Sequence, residues 1–174
     1  MMTIFLFLAT ALLYQTNLLY DFNSESEPWQ IEDDVVMGGR SSGSFEITEE
    51  GHGRFFGQVS LENNGGFSSV HSEITRKGVQ PNKDIVIHLK GDGSIYQMRI
   101  KAEADAYYWY KAAFETTGEW QTVTIPMYAF SPVRHGEKLN QPNFGHRGIE
   151  MIGFLIGNGK AQDFELLIDK IEVI

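Results

Sequence analysis

Residues 94–116 read SIYQMRIKAEADAYYWYKAAFET. Tyr96, Met98 and Ile100 alternate with Gln97, Arg99 and Lys101. Further on, Tyr108, Tyr110, Ala112 and Phe114 alternate with Tyr107, Trp109 and Lys111. A period of two marks a strand with one side in a core and the other in water. Two such runs joined at 104–106 predict a hairpin. Its first face is apolar and suits a core. Its second face sets guanidinium, ammonium, amide and indole groups side by side.

The same signal recurs on both sides of this hairpin. NLLYDF (17–22), GSFEIT (43–48), GRFFGQVSLE (53–62) and GGFSSVHSEI (65–74) each read as a strand between turns. KDIVIHLKGDG (83–93), EWQTVTIPM (119–127), GIEMIGFLIG (148–157) and QDFELLIDKIEVI (162–174) do so as well. Residues 130–147 read as one long loop. No helix longer than a turn or two is expected beyond the N-terminus, so a parallel α/β fold lacks its crossovers. About ten strands of roughly six residues predict an all-β fold, an antiparallel jelly-roll β-sandwich.

A length of 174 residues suits one domain, here 17–174. The net charge of −9, from 14 basic and 23 acidic residues, argues against nucleic acid as a partner. With no cysteine, disulfides, thiolate catalysis and Cys-ligated zinc are excluded. Residues 1–16 are an apolar N-terminal segment. Its uncharged run from Ile4 to Tyr14 is shorter than the ~20 residues a stable membrane span needs. The run suits a secretory signal in length, which implies export or a periplasmic location. However, no Lys or Arg precedes it and no small-x-small site follows. A docked N-terminal element, in a cytoplasmic protein, is the alternative.

Several constellations invite a chemical reading. In IEDDVVMGGRSSGSF (31–45), Asp33 and Asp34 are an acid pair beside Gly38 and Gly39. Adjacent residues on an extended chain point in opposite directions, so the pair alone makes no metal site. A turn is favoured, with Asp accepting backbone hydrogen bonds and glycine supplying positive φ. On that reading Gly39→Val costs about 1 to 3 kcal/mol through backbone strain, and Asp34→Asn costs less. GDGSIY and GNGKAQ lack the third glycine and following helix of a dinucleotide loop. Glu103 and Asp105 lack a third acid in register and read as solvated turn acids. The histidines, His52, His71, His88, His135 and His146, show no metal-ligand spacing, and no metal or cofactor is expected. His71 shares a face with Phe67, Ser69 and Glu73. The candidate contact surface is therefore Gln97, Arg99, Lys101, Trp109 and Lys111, with His71 and Glu73 beside them. Its bland alternative is an ordinary solvated sheet face.

Five blocks in order, IEDDVVMGGRSSGSF, GQVSLENNGGFSSV, YQMRIK, EWQTVTIPMYAF and IGFLIGN with DFELLIDKIEVI, resemble the complex I intermediate-associated protein 30 family over about residues 18–174. The resemblance implies a galactose-binding-domain-like jelly roll without known catalysis, and eukaryotic members that assist assembly of respiratory complex I. It makes Asp33, Asp34, Met37, Gly38, Gly39 and Ser41 one signature loop, and Asn64, Gly65, Gly66 and Phe67 a second. Arg99 and Ile125-Pro126 match the family pattern. His71 departs from it by replacing an arginine, so an anion-binding role does not carry over to that strand. Residues 1–16 do not read as a basic mitochondrial leader, so a mitochondrial role is not expected to carry over either. The first expectation is a non-catalytic domain that engages a protein partner, as an assembly or chaperone-like factor. A carbohydrate-binding module using the concave sheet face is the alternative. A sandwich-fold glycosidase or lyase ranks third.

Overall fold

The computed structural model describes residues 17–23 and 28–174. The N-terminal segment 1–16, with its signal or docking readings, lies outside the described residues. In chain order the strands are β1 (Asn17–Asp21), β2 (Gln30–Asp33), β3 (Ser42–Ile47), β4 (Gly53–Val59), β5 (Ser68–Gly78), β6 (Asp84–Lys90) and β7 (Ile95–Lys101). Then follow β8 (Trp109–Glu115), β9 (Trp120–Pro126), β10 (Ser131–Arg134), β11 (Glu137–Lys138), β12 (Gly148–Ile156) and β13 (Gln162–Val173).

They form two antiparallel sheets. One runs β3-β4-β13-β6-β9, with β1 also paired to β13; the other runs β11-β10-β8-β7-β12-β5-β2. The fold is the all-β antiparallel jelly-roll sandwich expected. Between the sheets lies a core that includes Tyr20, Phe55, Tyr96, Met98, Ile100, Phe130 and Phe154, all almost wholly buried. The hairpin at 94–116 is present, with Ile95 opposite Glu115 and Arg99 opposite Lys111. Its apolar side, including Tyr110, Ala112 and Phe114, faces the core. Strand β12, the Gly-Ile-Glu-Met-Ile run, has eight of its nine residues buried, which suits its place between β7 and β5.

Three strands differ from expectation. Residues 130–147 are not one loop, because β10 and β11 form a small hairpin there. His135 and Gly136 at its tip both take positive φ, 49° and 84°. Consecutive positive φ values are what a tight hairpin turn requires. The third is β2, which pairs with β5 from Gln30 opposite His71 to Asp33 opposite Ser68. Asp33 thus ends a strand, and only Asp34–Met37 forms a short 3₁₀ turn.

Candidate functional site

Pairing across the seven-stranded sheet sets its outer side chains in rows about 4.8 Å apart from strand to strand. One row runs Lys111, Arg99, Gly153, His71, Gln30. The next holds Lys101, Met151 and Glu73, with Trp109 following Tyr110 at its end. On the other side lie Ala113, Gln97, Leu155, Ser69 and Glu32. All seven residues proposed from sequence, Gln97, Arg99, Lys101, Trp109, Lys111, His71 and Glu73, therefore share one surface. The structure adds Gln30 and Glu32 from β2. Their alternation with Ile31 and Asp33 was the available signal, in a strand only four residues long.

Trp109 is half-buried. The Lys101 ammonium sits 4.8 Å from its ring centroid, and the His71 ring lies 5.8 Å away at a tilt of 59°. Lys101 Nζ also donates to the Ala104 carbonyl at 3.3 Å. Arg99 Nη2 donates to Gln97 Oε1 at 3.1 Å, while Arg99 Nε is closed off from water and has no partner. Burial lowers the Arg99 pKa to about 10, although nearby Glu32 pulls the other way. Burial lowers His71 and Lys101 too, again opposed first by Glu32. Gly153 leaves the middle of the row without a side chain. A Cβ there would stand 2.7 Å from the Val70 carbonyl oxygen. Beside His71 a cleft of about 210 Å³ is lined by Pro28, Gln30, Glu73 and Met151. A much smaller space of about 10 Å³ lies between Glu32, Ser69, His71, Arg99 and Trp109.

The outer face of the other sheet is different. Arg54 bonds Glu165 at 2.6 Å and Glu46 at 2.9 Å, and Glu172 holds both His88 at 2.8 Å and Lys170 at 3.2 Å. Arg54, His88 and Lys170 thus find carboxylate partners within the chain.

The signature loops meet at one end of the sandwich, on Asp34. This carboxylate is fully buried. Its Oδ1 accepts from the Ser41 amide at 3.0 Å. Its Oδ2 accepts from Ser41 Oγ at 2.5 Å, the Gly66 amide at 2.6 Å and the Phe67 amide at 3.2 Å. Burial alone would raise its pKa, but the bonds from Ser41, Gly66 and Phe67 outweigh that and hold it below the ordinary value of 3.8. Asp33 points the other way, accepting from the Gly43 amide at 2.9 Å and Ser68 Oγ at 2.5 Å. Asn63 Nδ2 adds a bond to the Gly38 carbonyl at 3.1 Å, and Asn64 itself takes a positive φ of 60°.

The two glycines of the first loop differ from their common reading. Gly38 has φ +91° and open space around it. At Gly39 the constraint is contact: a Cβ there would overlap the Asp34 carboxylate, and one at Gly65 would crowd it from the other side. Met37 and Val35 point to solvent, 67% and 58% exposed.

For chemistry on the seven-stranded face, Glu32 and Glu73 are the relevant carboxylates. Glu32 is level with Ser69, so Glu73 starts four residues further along β5, about 13 Å on along the backbone at ~3.3 Å per residue, and the charges of both act on His71 between them. Among the described residues no cluster of three His, Asp or Glu side chains could hold a metal ion. Nor is any helix there long and apolar enough to cross a membrane.

This is the fold of the carbohydrate-binding-module type of jelly-roll sandwich. The chain is similar to the family 11 carbohydrate-binding module of the cellulosomal cellulase Lic26A-Cel5E of Clostridium thermocellum, at 15% identity and a TM-score of 0.67, covering 91% of this chain and 94% of that one. It is similar to a family 11 module from Clostridium thermocellum in complex with a beta-1,3-1,4-mixed-linked tetrasaccharide, at 16% identity and a TM-score of 0.67, over 91% and 95%. A third likeness, to the agarase AgWH50C, has 13% identity and a TM-score of 0.57; it covers 91% of this chain and 24% of the enzyme. The search of curated proteins finds no match. The family model for complex I intermediate-associated protein 30 (CIA30) matches residues 20–168, and the chain belongs to that family.

Proposed function

We propose that residues 17–174 form a non-catalytic recognition domain that engages a protein partner across the outer face of the seven-stranded sheet. The role is that of an assembly or chaperone-like factor, in keeping with the family's description. One observation carries this reading. Arg99 and Lys101 are half-buried beside Trp109 and make no ion pair among the described residues: Arg99 bonds only the Gln97 side chain, and Lys101 only the Ala104 carbonyl and the Trp109 ring. Desolvating charge without pairing it is unfavourable for the free protein. A partner that supplies the missing acceptors recovers that cost, and a half-buried Trp among donors is the usual centre of a contact surface. Capture of partners from the native source by the full-length protein and by Trp109→Ala tests it. The variant should melt near the parent temperature and lose captured protein at least about tenfold, a contact worth ~1.4 kcal/mol or more. Unchanged capture refutes the reading.

A glycan is the second reading, favoured by the cleft beside His71 and by the sugar complex of the module with the same fold. A mixed-linked glucan that binds in a Trp109-dependent way, with no protein captured, would select it.

A further inference from the structure

The outer face of the seven-stranded sheet carries a preference in charge, provided that this face is the contact site proposed above. Arg99 has five N–H donors in a planar fork. Gln97 takes one of them, and Nε has no acceptor and no water contact. Glu32 is near enough to favour the charged form but makes no ion pair with the guanidinium. Nε is covered, so the unmet capacity that a carboxylate from outside can reach lies on the terminal nitrogens, of which only Nη2 has a partner, Gln97. Gly153 lies in the row between Arg99 and His71 and leaves the approach open.

We infer that the partner contributes an acidic, extended segment, one of whose carboxylates docks on Arg99 between His71 and Trp109. Three observations favour a peptide. Arg99 and Lys101 are two residues apart on β7, about 6.6 Å at ~3.3 Å per residue, the same repeat as alternate side chains of an extended chain. The space beside Arg99, about 10 Å³, admits one oxygen atom and no ring. Across His71, the cleft of about 210 Å³ can take a neighbouring side chain of the same segment, with Gln30 there to bond it and Glu73 disfavouring a second carboxylate at that position. The whole protein carries a net charge of −9, so its overall field does not attract an acidic partner. Recognition must come from local pairing, where charge-assisted bidentate bonds are strongest.

The test uses the full-length protein and three probes: hexaglutamate, hexaglutamine and an oligogalacturonate of similar length. Calorimetry should show hexaglutamate binding at least about tenfold tighter than hexaglutamine, the difference expected of a charge-assisted contact. In the unmodified protein the Arg99 guanidinium N–H resonances should shift on addition of hexaglutamate, a readout that no variant's folding can confuse. Arg99→Gln should abolish the preference and Arg99→Lys restore only part of it. Equal binding of the two peptides, unmoved Arg99 resonances, or binding of oligogalacturonate alone overturns the inference, the last in favour of an acidic glycan. The two readings fail separately. If Trp109→Ala abolishes native capture while Arg99→Gln leaves it intact, the acidic segment is wrong and the surface stands. If Trp109→Ala leaves capture intact, the surface itself is wrong.

Discussion

Asp34→Asn is the change whose cost can be worked most fully from the structure. The amide can be placed with its NH₂ group at either carboxylate oxygen. At Oδ2 it would face three donors, so the better placement is at Oδ1, where it faces the Ser41 amide. Donor then meets donor in a fully buried site, which costs about 1 to 3 kcal/mol. The three bonds at the other oxygen survive but lose their charge, at about 1 kcal/mol each. Relief of the carboxylate's own burial penalty acts in the opposite direction, and contributions within one network do not add. The expected loss is about 3 kcal/mol, which for a chain of this size lowers Tm by roughly 6 to 12 °C. The condition under which Asp34→Asn was expected to be the milder change, bonds to backbone N–H groups alone, is not met, because Ser41 Oγ also donates to the carboxylate.

Urea unfolding of the parent and Asp34→Asn from neutral pH down to about pH 3 is the assay. A carboxyl whose folded pKa lies below its ordinary value gives stability that is complete above that value and lost as pH falls through the folded one. The difference between parent and variant should hold steady above the ordinary aspartate value of 3.8 and shrink on further acidification. A loss below about 1 kcal/mol, within reach of an ordinary surface change, refutes the reasoning. So does a calcium-dependent rise in Tm that the variant lacks, since all the contacts assigned to Asp34 are protein donors.

Gly39→Ala should destabilise more than Gly38→Ala. The first drives a methyl into a carboxylate pinned by four bonds, whereas the second meets only the strain of φ +91°, about 1 kcal/mol. The reverse order of urea midpoints would show that backbone strain, and not contact with Asp34, governs the loop. Met98→Asp should prevent folding, because it puts an unpaired carboxylate in a fully buried core position. Trp109→Ala, on the other side of the same sheet, should cost no more than about 1 kcal/mol. Circular-dichroism melts of the two decide whether the faces are assigned correctly.

Where alternation was long, it was legible: β7 and β8 show seven residues each with the core side and the outer side cleanly separated. Short elements were not. The β2 strand has four residues, β10 four and β11 two, too few for a period to register. The His135-Gly136 pair was the one local clue to that hairpin. For the signature loop, opposed directions for Asp33 and Asp34 followed from strand geometry and hold in the structure. What Asp34 meets, however, is set by Gly66 and Phe67, more than thirty residues on, and no local pattern encodes a contact at that range.

The two outer faces show why residue type alone does not separate the proposed contact surface from the opposite one. Both carry arginine, lysine, histidine and glutamate. On the six-stranded sheet, Arg54 sits between Glu165 and Glu46, and those bonds raise its pKa; the charge is satisfied within the chain. On the seven-stranded sheet, Arg99 is more deeply covered, lacks any such pair, and has its pKa lowered by burial to about 10. A solvated sheet face has no reason to keep a guanidinium covered and unpaired, since a longer reach into water would serve it better. The covered position becomes favourable once an acceptor arrives from outside. It is this difference between two arginines, which follows from strand order and register and not from composition, that singles out one face of the sandwich.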